Sequence, residues 1–149
     1  MTLGTNELLL RLGAATFAGL IVGLNRDLRN RPIGMRTLSL VALGSAIVVV
    51  STIQFPGIAE NSNAVSRVVQ GIIQGLMAGI GFIGAGVILR DSNAQRVKGL
   101  TSAATVWVTA ALGIACGLGA WRTVAIALVL TFFVLLGLHW IEHVMFEED

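Results

Sequence analysis

The sequence predicts an all-α membrane protein, a compact bundle of five transmembrane helices in a single domain. Three observations carry that expectation. The chain is 55% hydrophobic and only 12% charged, with mean hydropathy +0.84, whereas a soluble domain carries about 25% charged residues. Its apolar residues collect into runs at about 8–24, 37–55, 68–89, 100–120 and 123–141. Some 20 apolar residues at about 1.5 Å each cross a hydrocarbon core of roughly 30 Å. The basic residues sit in the connections between runs, a pattern that orients a chain in a membrane and does not point to nucleic acid. With 149 residues the chain has room for one bundle and no separate catalytic domain.

Taken in order, the first run places Ala15, Gly19 and Gly23 at four-residue spacing, which lines one helix face with small groups. Arg11 lies near the outer end of this run. At a helix centre an arginine costs about 2.5–3.5 kcal/mol on insertion scales, so its head is expected to snorkel to the interface. The opening residues MTLGTNE lack a basic n-region, so no cleavable signal peptide is expected. Residues 25–36 hold Arg26, Arg29, Arg31 and Arg36 against Asp27, with Pro32 and Gly34 reading as a turn. The second run is β-branched and nearly free of polar groups.

Residues 56–66 form a polar loop whose one charge is Glu60, and Arg67 opens the third run. In that run Gly71, Gly75 and Gly79 recur every four residues, and Gly81, Gly84 and Gly86 follow closely. The density predicts a helix-packing or gating element, with Gly79 less tolerant of leucine than Leu130 is of alanine. Residues 90–99 are basic again, with Arg90, Arg96 and Lys98 against Asp91. The fourth run is rich in Ala, Ser, Thr and Gly, and Trp121 and Arg122 join it to the fifth. Such a short link makes runs four and five antiparallel neighbours. The fifth is mostly bulky aliphatic and phenylalanine and is the one expected to face lipid. Both basic segments follow odd-numbered runs, which puts them in the cytoplasm, the N-terminus outside and the acidic tail 142–149 inside.

One polar stripe stands out. Arg67, Gln70, Gly71, Gln74, Gly75 and Ala78 fall at i, i+3, i+4, i+7, i+8 and i+11, a single helix face. With Thr101 and Thr105 it reads either as a polar path or as interhelical glutamine bonding beside close glycine packing. Residues 79–86 also admit a broken helix whose freed backbone binds an ion. Thr101, Ser102, Thr105 and Thr109 are expected to bond across to the third helix, pairing runs three and four. At the cytoplasmic turn, Arg26, Asp27, Arg36 and Thr37 suit anionic headgroups or a partner's acidic groups, or serve only as orientation charge.

Two enzyme-like motifs are set aside. Gly79-Ile80-Gly81-Phe82-Ile83-Gly84 matches G-x-G-x-x-G, yet it lies inside an apolar run with no strand before it and no acid about 20 residues on. His139, Glu142 and His143 match H-x-x-E-H, with Glu147 on the same face. The chain leaves nothing to build a cleft around them, so no metal site and no cofactor are expected. Glu7, Asp27, Glu60, Asp91 and the acidic tail all lie outside the apolar interior. Magnesium binds carboxylates and sheds water reluctantly, so a dehydrated magnesium site mid-membrane is not expected. Cys116 is alone, which excludes an internal disulfide. No convergent acid, base and nucleophile set suggests an enzyme.

Four blocks together carry a family resemblance. Gly23-Leu24-Asn25-Arg26-Asp27, Gly34-Met35-Arg36-Thr37, Gly79 to Ile88 and Gly99 to Trp107 resemble, in order and approximate spacing, the signature blocks of the MgtC/SapB family. The likeness covers about residues 8–120. It implies a multi-pass protein of the bacterial inner membrane, in the magnesium-transporter-C group, linked to low-magnesium adaptation and in some pathogens to survival inside macrophages. It further implies action on membrane energetics, including the proton-driven ATP synthase, without magnesium transport. Many members continue into a cytoplasmic C-terminal domain, so this chain reads as a short form. Thr101 and Val108 stand where virulence members carry Asn and Cys, and the Gln70/Gln74 echo lengthens the start of the third run by one turn. The expectation is therefore a membrane-embedded modulator of another membrane system, in contact with lipid and self-associating, as a dimer. The alternative is a transporter or channel for magnesium or another small solute, with Arg67, Gln70 and Gln74 on its path.

Overall fold

Residues 100–118 carry no charge, and their polar groups are chiefly the short hydroxyls of Thr101, Ser102, Thr105 and Thr109, so the helix can be buried on most of its sides. The computed structural model, which describes residues 3–31, 33–55, 62–89 and 99–137, puts that segment at the centre. Its helices are α1 (Thr5–Asp27), α2 (Met35–Ile53), α3 (Ser62–Leu89), α4 (Leu100–Leu118) and α5 (Trp121–Phe132), the last continued by a π-helical turn, Phe133–Gly137. The described residues form no strand. Helix α4 packs against α1, α2, α3 and α5. Of its span 56% is buried, against 11% of the span Val65–Ile88 in α3. The organising helix is thus α4.

Helices α1 to α4 are each long and apolar enough to cross a membrane. Trp121–Gly137 is a shorter apolar helix, so the fifth predicted run is described only as far as Gly137. It begins at Trp121 itself, after a link at Gly119 and Ala120. Among its described residues only Val124 is buried, and Ile126, Val129, Leu130, Phe133 and Val134 are exposed, in keeping with a lipid-facing helix.

Lipid tails are as apolar as the side chains they touch, so membrane helices associate through close packing. Here the close packing is glycine on backbone. A Cβ placed on Gly19 would lie 2.5 Å from the Leu38 carbonyl oxygen, and one on Gly23 2.7 Å from the Met35 nitrogen. Both seal α1 to α2. On α4, a Cβ on Gly113 would sit 2.8 Å from the Ala42 Cα, and one on Gly117 3.1 Å from the Ala46 carbonyl oxygen. Both seal α4 to α2. These pairings run α1 antiparallel to α2, and α2 parallel to α4.

The glycines of α3 behave differently. A Cβ on Gly71, Gly75, Gly79, Gly81 or Gly86 would meet nothing within 4 Å; only Gly84 is buried, beside Ala103 at 3.5 Å. The predicted packing role of the α3 glycines within the chain is therefore corrected to Gly84 alone. The reason is rotational. Helix α3 turns Ile80 and Gly84 toward α4, which leaves Gly71, Gly75, Gly79 and Gly86 on the other side and Gly81 at the edge. Runs three and four do pair as expected.

Candidate functional site

The C-terminal end of α1 and the N-terminal ends of α2 and α4 meet in one polar cluster. Helix ends carry carbonyls and amides without helical partners. At the end of α1, Arg31 N–H donates to the Arg26 carbonyl at 3.1 Å and Asn30 N–H to the Asp27 carbonyl at 3.0 Å. Asn30 takes a positive φ of 51°, which asparagine tolerates in this cap. The chain then reverses into α2, whose N-cap residue, Gly34, offers no side chain. Asp27 takes over that task. Its Oδ2 accepts the Met35 N–H at 2.9 Å, setting a carboxylate at the positive end of the helix. A Cβ on Gly34 would lie 2.6 Å from the Asp27 Oδ2, so glycine there is what lets the carboxylate in.

Losing a capping side chain costs about 1 kcal/mol. Asp27→Ala should lower the thermal midpoint in detergent, and Asp27→Asn, which also caps, should recover most of it. Identical midpoints for the wild type and Asp27→Ala would remove this role.

Arg26 lies one residue before Asp27 and is only 4% exposed. Its Nη2 donates to the Ser102 Oγ, across to the first turn of α4, and its buried Nε has no hydrogen-bond partner. Among the described residues the ion pair is Glu7 with Arg11, at 2.7 Å, so Arg26 has no carboxylate there. Arg36 and Thr37 are exposed on the first turn of α2. Of the four residues predicted for this turn, Arg26 alone is drawn into the bundle, while Asp27, Arg36 and Thr37 stand on its surface, Asp27 bonded to the end of α2.

The opposite end has its own clasp. Gly119, at φ 74°, ends α4 with Gly119 N–H bonded to the Cys116 carbonyl and Ala120 N–H to the Ala115 carbonyl, both at 2.9 Å. The next carbonyl, that of Gly117, accepts Arg11 Nη1 at 2.8 Å. Arg11 also reaches back one turn along α1, its Nε donating to Glu7 Oε1 at 2.7 Å. Its guanidinium is held between Glu7 and the last turn of α4, where the negative helix end favours a cation.

The remaining polar expectations resolve locally. Thr105 donates to the Thr101 carbonyl at 2.7 Å and Thr109 to the Thr105 carbonyl at 2.8 Å. The threonine hydroxyls thus turn back on their own helix and do not reach α3, a competition open to any Ser or Thr in a helix. Only Ser102 bonds across, and it does so to α1. Gln70 and Gln74 are exposed on α3, Thr101 is exposed on α4, and Thr105 is buried. Arg67 is exposed too, its Nε on the Asn63 carbonyl at 3.3 Å. These five residues do not share one surface within the chain, so the predicted path is not assembled there. His139, Glu142, His143, Glu147, Glu60 and Asp91 lie outside the described residues.

The chain matches the model of the MgtC family over residues 12–144. It is similar to the protein SrpB of Synechococcus elongatus, 48% identical over 134 residues, which is 86% of this chain and 71% of SrpB. It is 39% identical over 120 residues to SapB of Bacillus subtilis, covering 78% of this chain and 50% of SapB. It is 36% identical over 122 residues to MgtC of Salmonella typhimurium, covering 82% of this chain and 48% of MgtC. It therefore spans about half the length of SapB and MgtC. No solved structure matches the chain.

Proposed function

This chain belongs to the MgtC family, and from that premise we propose that it modulates another system of the bacterial inner membrane and carries no solute itself. One observation supports the reading: the polar groups in and at the ends of the bundle are, the Arg26 Nε apart, engaged in holding its helices. Arg11 closes the end of α4, Asp27 caps α2, Arg26 bonds Ser102, and Thr105 and Thr109 bond their own helix. A solute path needs polar groups free to replace water around the solute. The groups that face outward are at the periphery: Arg36 and Thr37 beside the basic turn, and Gln70 and Gln74 on α3. A surface of that kind suits contact with headgroups and with another membrane protein. The family's link to membrane energetics makes the proton-driven ATP synthase the first partner to test.

Purified protein in vesicles loaded with a magnesium-sensitive dye should admit magnesium no faster than protein-free vesicles. Magnesium-dependent flux that disappears in Gln74→Leu would overturn the reading in favour of a transporter or channel. Crosslinking in native membranes then identifies what the protein touches.

A further inference from the structure

The exposed face of α3 is unlike a surface made for lipid. On α5 the exposed side chains are bulky and apolar, as Ile126, Val129, Leu130 and Phe133 show. On α3 the exposed residues include Gln70, Gly71, Gln74, Ala78, Gly81 and Ala85, two primary amides among small residues. Gln74 lies within about 4 Å of the middle of the span Val65–Ile88 at roughly 1.5 Å per residue. Neither glutamine has a hydrogen-bond partner among the described residues. An amide left bare in hydrocarbon is costly, because no water is present to take its donors and acceptor.

We infer that a second copy of this chain covers the face, in a parallel dimer where Gln70 and Gln74 of α3 bond their own counterparts. Two copies inserted alike are related by a two-fold axis along the membrane normal, so residues facing the axis meet their own counterparts and those beside it meet neighbours about one turn away. Glutamine suits that symmetry because its amide both donates and accepts. Gly71 and Ala78 allow the backbones to come close enough for the amides to meet. Phe82, 85% exposed, is the large side chain of the face, and Ala78, Ala85 and Gly86 around it leave a hollow for the ring of the other copy. The dimer is separate from the modulator reading and is compatible with either result of the flux measurement.

The test uses the full chain in lipid vesicles, with Cys116→Ala removing the native thiol. Ala78→Cys should give a disulfide-linked dimer on oxidation, while Val129→Cys on α5 should stay monomeric. The double variant Gln70→Leu/Gln74→Leu should weaken association about tenfold, the effect of one or two interhelical bonds, with helical content unchanged. The inference is overturned by equal crosslinking at both positions, by none at either, or by wild-type association in the double variant. Capture of a different protein at Ala78→Cys, in place of a second copy, overturns the choice of occupant.

Discussion

Gly113→Leu should leave no folded protein in the membrane fraction, whereas Gly79→Leu should leave the fold of the chain intact. At Gly113 the first added carbon would collide with the carbonyl oxygen of Ala42 and sit 2.8 Å from its Cα. Those atoms are backbone, so no rotamer change relieves the overlap; α2 and α4 must separate. Overpacking by a few methylenes costs about 1–3 kcal/mol even where side chains can yield, against a total stability of about 5–15 kcal/mol. The alanine variants give a cleaner comparison. In a helix interior, alanine is favoured over glycine by about 1 kcal/mol, so Gly79→Ala should be neutral or slightly stabilising because its Cβ meets nothing. Gly113→Ala has the same propensity gain and should still be destabilising. Thermal midpoints in detergent decide the matter. A Gly113→Ala midpoint at or above the wild type would mean that α2 and α4 are not in contact there.

That contrast also marks how far the sequence was legible. Apolar runs located α1 to α4 to within several residues at each end, because length and hydropathy are local properties. The four-residue spacing of Ala15, Gly19 and Gly23 marked a face that is buried: Ala15 is enclosed and the two glycines lie on the backbone of α2, a neighbour the spacing itself did not name. The same spacing in α3 misled. A smooth stripe says that a neighbour can come close, and nothing about whether the same chain supplies it. Helix α4 was under-read for the opposite reason, since its small apolar residues are spread around the helix and its one stripe is of hydroxyls. In the candidate site the sequence pointed to Arg26 and Asp27, yet their roles depend on chain reversal. Asp27 caps a helix that starts eight residues later, and Arg26 meets Ser102 across 76 positions. Arg11 was placed by its cost in lipid, which omits what a carbonyl at the end of another helix can offer it. The threonines went astray because an i−4 carbonyl is always nearer than a neighbouring helix.

Removing Ser102 and removing Arg26 should have opposite effects on stability, although the two residues share one hydrogen bond. Ser102→Ala takes the acceptor from a guanidinium that is 4% exposed and already has an unpartnered Nε. A hydrogen bond to a charged group contributes about 1.5–3 kcal/mol, and a buried charge deprived of it keeps its full desolvation penalty. The expected result is a clear fall in the thermal midpoint. Arg26→Met keeps an unbranched chain of similar length and removes the charge, and apolar replacements of buried charges are often neutral or stabilising. Its midpoint should match or exceed the wild type. In the double variant, Ser102→Ala should then cost little, so the cycle yields a coupling of the same order as the first loss. If Arg26→Met proves as damaging as Ser102→Ala, the arginine is an ordinary structural clasp. If it folds well and abolishes the biological effect of the protein, the charge is retained at a cost to stability because a partner reads it. That outcome would tie the cluster at the ends of α1, α2 and α4 to the modulator role.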